Sequence, residues 1–253
     1  MAELPRETSY DPGAFWQGVL SAHPDLRGTG EPGLSLGYNR AMYKIRELVV
    51  TRELAREGVR LAGATVLDGG SGVGFWVNYY SRRGARVTGI ELTEAGAALL
   101  ARRFPEARIV RGDLAETDPG GVFDVVNCCD VLYHITHDER WEAALRRLAR
   151  AVRPGGVLLV SDVTGRVPGP LAAHCCPRAK ARYDAVLASE GLAVSRAVPT
   201  HWWLNRELGV LRGLNRLPFL LYALDRTALA LSWPAWEPGT NHLLVARRLK
   251  TAS

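Results

Sequence analysis

The chain has 253 residues, 47% of them hydrophobic and 23% charged, with a formal net charge of +6. That is the balance of a soluble globular protein long enough to bury a core without staples. All basic residues except Lys44, Lys180 and Lys250 are arginine, spread along the chain with no tight basic run, so no nucleic-acid partner is expected. No stretch of about 18 residues is free of charge, which argues against a membrane span. The opening MAELPRETSYDPG lacks the apolar core of a signal peptide. A cytoplasmic protein is expected. The cysteines form two adjacent pairs, Cys128-Cys129 and Cys175-Cys176, spaced neither to bridge each other nor to form a zinc knuckle. They read as small buried residues in a reducing compartment.

In chain order, a Gly- and Pro-rich segment over 1–35 holds one short helix near 14–22. A long helix is predicted over 36–57, with Met42, Ile45, Val49 and Leu54 at near-helical spacing. The rhythm then changes. TVLD at 65–68 is a buried strand, followed by a glycine turn and a helix over about 73–83. RVTGI at 86–90 is a second strand, and Thr93 caps a helix running to Arg103. Strands follow at 107–110 and 122–128. An amphipathic helix over 138–152 is stopped by Pro154-Gly155-Gly156. VLLVSD at 157–162, a helix over 177–190 and a strand at 192–198 come next. The apolar segment 201–238 reads as helical, and 242–249 as the last strand. Alternating strands and helices imply right-handed crossovers and a mainly parallel sheet of seven strands with helices on both faces.

Residues 66–76, VLDGGSGVGFW, carry the first chemical signal. In a parallel sheet the turn after the first strand lies at the ligand-binding rim, and glycines bring bare backbone against a ligand. A dinucleotide fingerprint G-x-G-x-x-G would need glycine where Phe75 stands, which disfavours a nicotinamide oxidoreductase, and no Walker GK[ST] follows. The pattern is Asp68-x-Gly70-x-Gly72-x-Gly74.

That pattern resembles the nucleotide-binding motif of class I S-adenosylmethionine-dependent methyltransferases. More of the family's layout follows in order: Glu91 ends the second strand, Asp113 follows the third, FDVVNCCDVLYHI supplies the fourth strand and its loop, and RPGGVLLVSD the fifth. The resemblance is close over about 66–162 and extends to the flanks only by layout. It implies a Rossmann-like fold with S-adenosylmethionine as cofactor. Asp68, Gly70, Ser71, Gly72, Gly74, Glu91, Leu92, Asp113, Leu114, Cys129 and Asp130 would hold it. Glu91 would meet the ribose hydroxyls and Asp113 the adenine amino group.

Methyl transfer from a sulfonium needs an in-line nucleophile, exclusion of water, and a base only where the nucleophile carries a departing proton. No acid pattern of the catechol enzymes occurs, so no metal is expected. The loop after the fourth strand holds His134, the best base candidate; Asn127-Cys128-Cys129-Asp130 does not match the [DNS]PP[YFW] of the base methylases. His201 is a second catalytic candidate. Tyr38, Tyr133, His174, Trp202 and Trp203 are expected around the substrate, the two tryptophans as an aromatic wall at the end of the sixth strand.

The expected organisation is an N-terminal helical cap over 1–60 and a methyltransferase domain over 61–253, with a helical lid inserted at 201–238. For the lid segment a dimer face, giving a homodimer, or a lipid-surface contact is the alternative. The reading is methylation of a small organic acceptor on oxygen or nitrogen, in secondary metabolism. Its rivals are an RNA or protein methyltransferase and a non-catalytic cofactor-binding regulator or partner subunit.

Overall fold

The computed structural model describes residues 10–164, 172–204, 209–231 and 241–248. Among these residues seven strands form one sheet: β1 (Thr65–Gly69), β2 (Arg86–Glu91), β3 (Arg108–Arg111), β4 (Phe123–Cys129), β5 (Val152–Val163), β6 (Leu192–Pro199) and β7 (Asn241–Arg248). Their order is β3-β2-β1-β4-β5-β7-β6, parallel except that β7 runs antiparallel to both β5 and β6. Two antiparallel pairings restore the direction, so β6 ends at the same edge as β1.

Among the described residues seven α-helices accompany the sheet: α1 (Pro12–Ala22), α2 (Leu36–Arg56), α3 (Phe75–Ser81), α4 (Glu94–Arg103), α5 (Asp138–Arg150), α6 (Lys180–Ser189) and α7 (Pro218–Ala230). Successive strand side chains point to opposite faces and build two cores. Leu67, Val126, Leu158 and Leu244 pack with Trp141 and Leu145 of α5 and Tyr183 of α6. Val66, Val125, Leu159 and Val245 pack on the other face with Met42, Ile45 and Val49 of α2, Tyr80 of α3 and Leu221 of α7. Helix α2 therefore shares the sheet's core, while Leu20 of α1 packs in a separate small cluster with Val73 and Leu99.

The differences from the predicted elements have local causes. Helix α1 starts at Pro12 because Asp11 accepts bonds from the amides of Gly13 and Ala14. Helix α5 ends at Arg150, before Pro154-Gly155-Gly156, which lies within the irregular start of β5. Pairing there shifts between Phe123–Val152 and Val125–Val157, so β5 begins five residues before the expected VLLVSD. Of the predicted helical segment 201–238, α7 and a 3-10 turn at Gly209–Arg216 are helical, while 205–208 and 232–240 lie outside the described residues.

Two buried acids tie this frame together. Asp225 of α7, fully buried, accepts hydrogen bonds from the backbone amides of Trp202 and Trp203 at 2.7 and 2.9 Å and of Leu204 at 3.0 Å. Asp225→Ala would leave three backbone donors unmet, that of Leu204 buried, and is expected to destabilise the fold by about 3 kcal/mol, read by denaturant unfolding. Asp162 of β5 accepts from the Tyr183 hydroxyl and from the Val163 amide, and burial pushes its carboxyl from 3.8 up to about 8. The folded chain thus holds this proton more tightly than the unfolded one. Its contribution to stability is full below 3.8 and is lost as pH rises from there to about 8. Asp68, pushed up to about 6, adds to the lower part of that window. Buried His134, pushed down to about 4, works the other way below its ordinary 6.5, so melting temperature is expected to fall between about pH 6.5 and 8, and Asp162→Asn to flatten the fall.

Candidate functional site

At the C-terminal edge of β1 the chain turns through Gly70 (φ 77°), Gly72 (φ 52°) and Gly74 (φ 88°). The amides of Gly70 and Ser71 both donate to the Ile90 carbonyl at 2.9 Å, which clips the turn onto β2. A side chain has no room there: a Cβ on Gly70 would lie 2.5 Å from Val131, and one on Gly72 2.5 Å from Thr29. Gly74 plays a different part. It N-caps α3 in the left-handed region, and its Cβ would strike Phe104 and Leu100.

Over this turn opens a cavity of about 480 Å³, within the range of small-molecule sites. Among the expected cofactor residues, Gly70, Ser71, Gly72, Glu91, Leu92, Asp113, Leu114, Cys129 and Asp130 line it, and Asp68 and Gly74 do not. Asp68 sits beneath the turn, 1% exposed, accepting from the Asn127 amide group at 2.8 Å, with its second oxygen buried without a partner.

The acids at the rim are fixed by their own surroundings. Glu91 accepts the Gly72 amide on Oε2 at 2.8 Å and the Thr93 amide and hydroxyl on Oε1 at 2.9 and 2.7 Å. It therefore holds the turn to the cap of α4, and Oε2 retains lone-pair capacity toward the cavity. Asp113 accepts the Ala115 amide at 2.7 Å and pairs with Arg140 at 3.0 Å. Asp130 has φ 59°, rare for a residue with a side chain. Its carboxylate pairs with buried Arg46 at 3.1 Å and accepts from the Asn241 side chain.

Another wall is aromatic, with Trp16 and Tyr43 from the N-terminal segment and Phe75 and Trp76 from the start of α3. Tyr43 donates to the Thr29 carbonyl at 2.7 Å, which draws that loop over Gly72. Tyr38, expected here, is instead fully buried in the core. Tyr38, Met42, Ile45 and Val49 face the core from α2, and Tyr43, the neighbour of Met42, is the α2 side chain that lines the cavity.

His134 lines the cavity at the end of a 3-10 turn, Leu132–His134. Its Nδ1 lies 2.9 Å from the His174 carbonyl oxygen, and burial pushes its pKa down to about 4. Tyr133 and His174 stand outside the lining, against His134, with ring centroids 4.0 and 5.3 Å away. His201, Trp202 and Trp203 follow β6 at the expected edge of the sheet but do not line the cavity. Asp225 holds the Trp202 and Trp203 backbone toward α7, and the His201 Nδ1 bonds the Thr200 hydroxyl at 2.8 Å. Sequence reasoning missed Thr29 and the stretch Asp11–Gly13, which also lines the cavity; the Asp-Pro cap was the available signal for where α1 begins.

The residues fit the adenosyl sulfonium. A cradle with no room for a Cβ meets bare backbone needs, and the carboxylates of Glu91, Asp113 and Asp130 line the path of a cationic ligand. A sheet of this order, with that turn after β1 and acids ending or following β2 and β3, defines the class I S-adenosylmethionine-dependent methyltransferases. The chain belongs to that family: the family model described as a methyltransferase domain matches residues 38–248. S-adenosylmethionine is its cofactor.

Relatives match part of the chain. The ubiquinone biosynthesis O-methyltransferase of Pseudomonas paraeruginosa is 36% identical over 114 residues, which are 42% of this chain and 47% of that one. The dTDP-4-amino-2,3,4,6-tetradeoxy-D-glucose N,N-dimethyltransferase of Saccharopolyspora spinosa is 30% identical over 118 residues, 44% of this chain and 47% of that one. The chain thus spans about half the length of the curated relatives it matches. Among solved structures, magnesium protoporphyrin IX methyltransferase from Synechocystis PCC 6803 with bound S-adenosylmethionine shares the fold at a TM-score of 0.59 and 17% identity, covering 96% of this chain and 99% of that one. The described residues include no helix long and apolar enough to cross a membrane.

Proposed function

We propose that the chain methylates an oxygen or nitrogen of a small, largely apolar organic acceptor, in secondary metabolism. The observation that carries this reading is a single cavity running from the glycine turn to the aromatic wall of Trp16, Tyr43, Phe75 and Trp76. The turn suits the cofactor and the wall suits an apolar partner. The relatives acting on a quinone precursor pathway and on an amino sugar, by their names, support a small acceptor. Bound S-adenosylmethionine supplies an electrophilic methyl carbon. The chain's own task is to orient the nucleophile and exclude water.

In this reading Glu91 Oε2 accepts a ribose hydroxyl and Asp113 meets the adenine amino group. His134 takes the acceptor's proton: with Nδ1–H donated to the His174 carbonyl, the lone pair rests on Nε2. An imidazole with its pKa pushed down to about 4 stays unprotonated at neutral pH. The acid limb of the rate profile is therefore expected near pH 4 to 5, about two units below that of an unperturbed histidine. A pH series of initial rates checks it.

The decisive experiment supplies methyl-labelled S-adenosylmethionine and cell extract, then separates small molecules, RNA and protein. Label in the small-molecule fraction is expected. Label confined to RNA or protein would overturn the reading. Cofactor binding without transfer to any fraction would point to a non-catalytic partner subunit.

A further inference from the structure

We propose that His134, His174 and Cys175 form a binding site for one zinc ion at the acceptor end of the cavity. Donor atoms of the three side chains all lie within 4.8 Å of one another, and Cys175 Sγ is 3.9 Å from His134 Nδ1. Tetrahedral zinc, with bonds of about 2.0 to 2.3 Å, needs donors about 3.5 Å apart, so closing the site draws the donors together by about 1 Å.

The scaffold brings these donors together on two loops. The Cys176 amide donates to the Tyr133 carbonyl at 2.7 Å, joining the segment before α6 to the 3-10 turn after β4. Buried Arg178 donates to the Cys176 carbonyl at 3.0 Å and the Thr136 carbonyl at 3.3 Å, clamping the same two segments. Zinc on His134 Nδ1 takes the place of its bond to the His174 carbonyl and leaves the ring proton on Nε2. Two imidazoles and a thiol, with no carboxylate among them, select zinc over magnesium or calcium. Phe15 stacks on His174 at 4.6 Å and Trp16 meets His134 edge-on at 4.8 Å, covering one side. His134 keeps the other side open to the cavity. The sequence alone pointed to no metal because His134 and the pair His174-Cys175 stand 40 or more residues apart, beyond any local spacing rule.

The binding claim stands on geometry. One consequence rests on the proposed function: zinc occupies a nitrogen of the imidazole assigned there as proton acceptor, so loading silences that role.

The test uses the full chain, stripped with a chelator and titrated with zinc against a chromophoric competitor, and with cobalt to read thiolate charge-transfer absorption. One equivalent of zinc per chain is expected, with the thiolate band present. Cys175→Ser is expected to abolish the band and weaken zinc at least about tenfold; His174→Ala is expected to weaken zinc similarly; Cys176→Ser is expected to change neither. Calorimetry with S-adenosylmethionine on the same samples shows that each variant is folded. No zinc uptake, uptake indifferent to Cys175→Ser, or equal loss in Cys176→Ser would overturn the proposal. Failure of the label-transfer experiment would leave the zinc result untouched, so the two readings fail separately.

Discussion

Gly70→Ala is expected to bind S-adenosylmethionine on the order of 100-fold more weakly than the wild-type chain. Two effects combine. The residue holds φ 77°, where an L side chain costs about 1 to 2 kcal/mol. Its Cβ would also lie 2.5 and 2.8 Å from the two methyls of Val131. The turn must then shift, and with it the backbone that faces the ligand. Gly70→Ala/Val131→Ala removes the collision and keeps the strain, so it is expected to recover part of the affinity. Gly18→Ala in α1 serves as control, since nothing lies within 4 Å of its Cβ position. Calorimetric titration of all three with S-adenosylmethionine and S-adenosylhomocysteine reads the result. Wild-type affinity in Gly70→Ala would remove the turn from the cofactor site.

Glu91→Ala is expected to lose both stability and cofactor affinity. One carboxylate, 5% exposed, satisfies the Gly72 amide, the Thr93 amide and the Thr93 hydroxyl. Its removal strands donors in a buried place, at about 2 to 4 kcal/mol in total. It also cuts the link between the glycine turn and the start of α4. The proposed ribose contact disappears with it, and affinity is expected to fall at least about tenfold. Because ribose is common to both ligands, S-adenosylmethionine and S-adenosylhomocysteine should weaken alike. A loss confined to the methylated ligand would place Glu91 near the sulfonium instead. Thermal unfolding without ligand separates the stability part from the binding part.

The fold was legible in the sequence because its signals are local. The run from Val66 to Trp76 requires a turn of bare backbone after a buried strand, and β1, β2 and β4 sit within a residue or two of their predicted bounds. Thr93 caps α4 as its hydroxyl and position demand. The side of the cavity nearest the turn was legible for the same reason: strand order places the residues after β1, β2, β3 and β4 on one rim, whatever the packing above them.

The rest was decided by tertiary structure. Whether Tyr38 or Tyr43 faces the cavity depends on the rotation of α2 against the sheet. Whether Trp202 and Trp203 wall the site depends on Asp225, more than 20 residues away, which accepts their amides. The closeness of His134 to His174 and Cys175 is held by hydrogen bonds between distant loops, from the Cys176 amide to the Tyr133 carbonyl and from Arg178 to the Cys176 and Thr136 carbonyls. Propensity and spacing act over a few residues and set the elements and the turn. Which side chains meet across the cavity is set by burial and long-range hydrogen bonds, and these appear only when the elements pack.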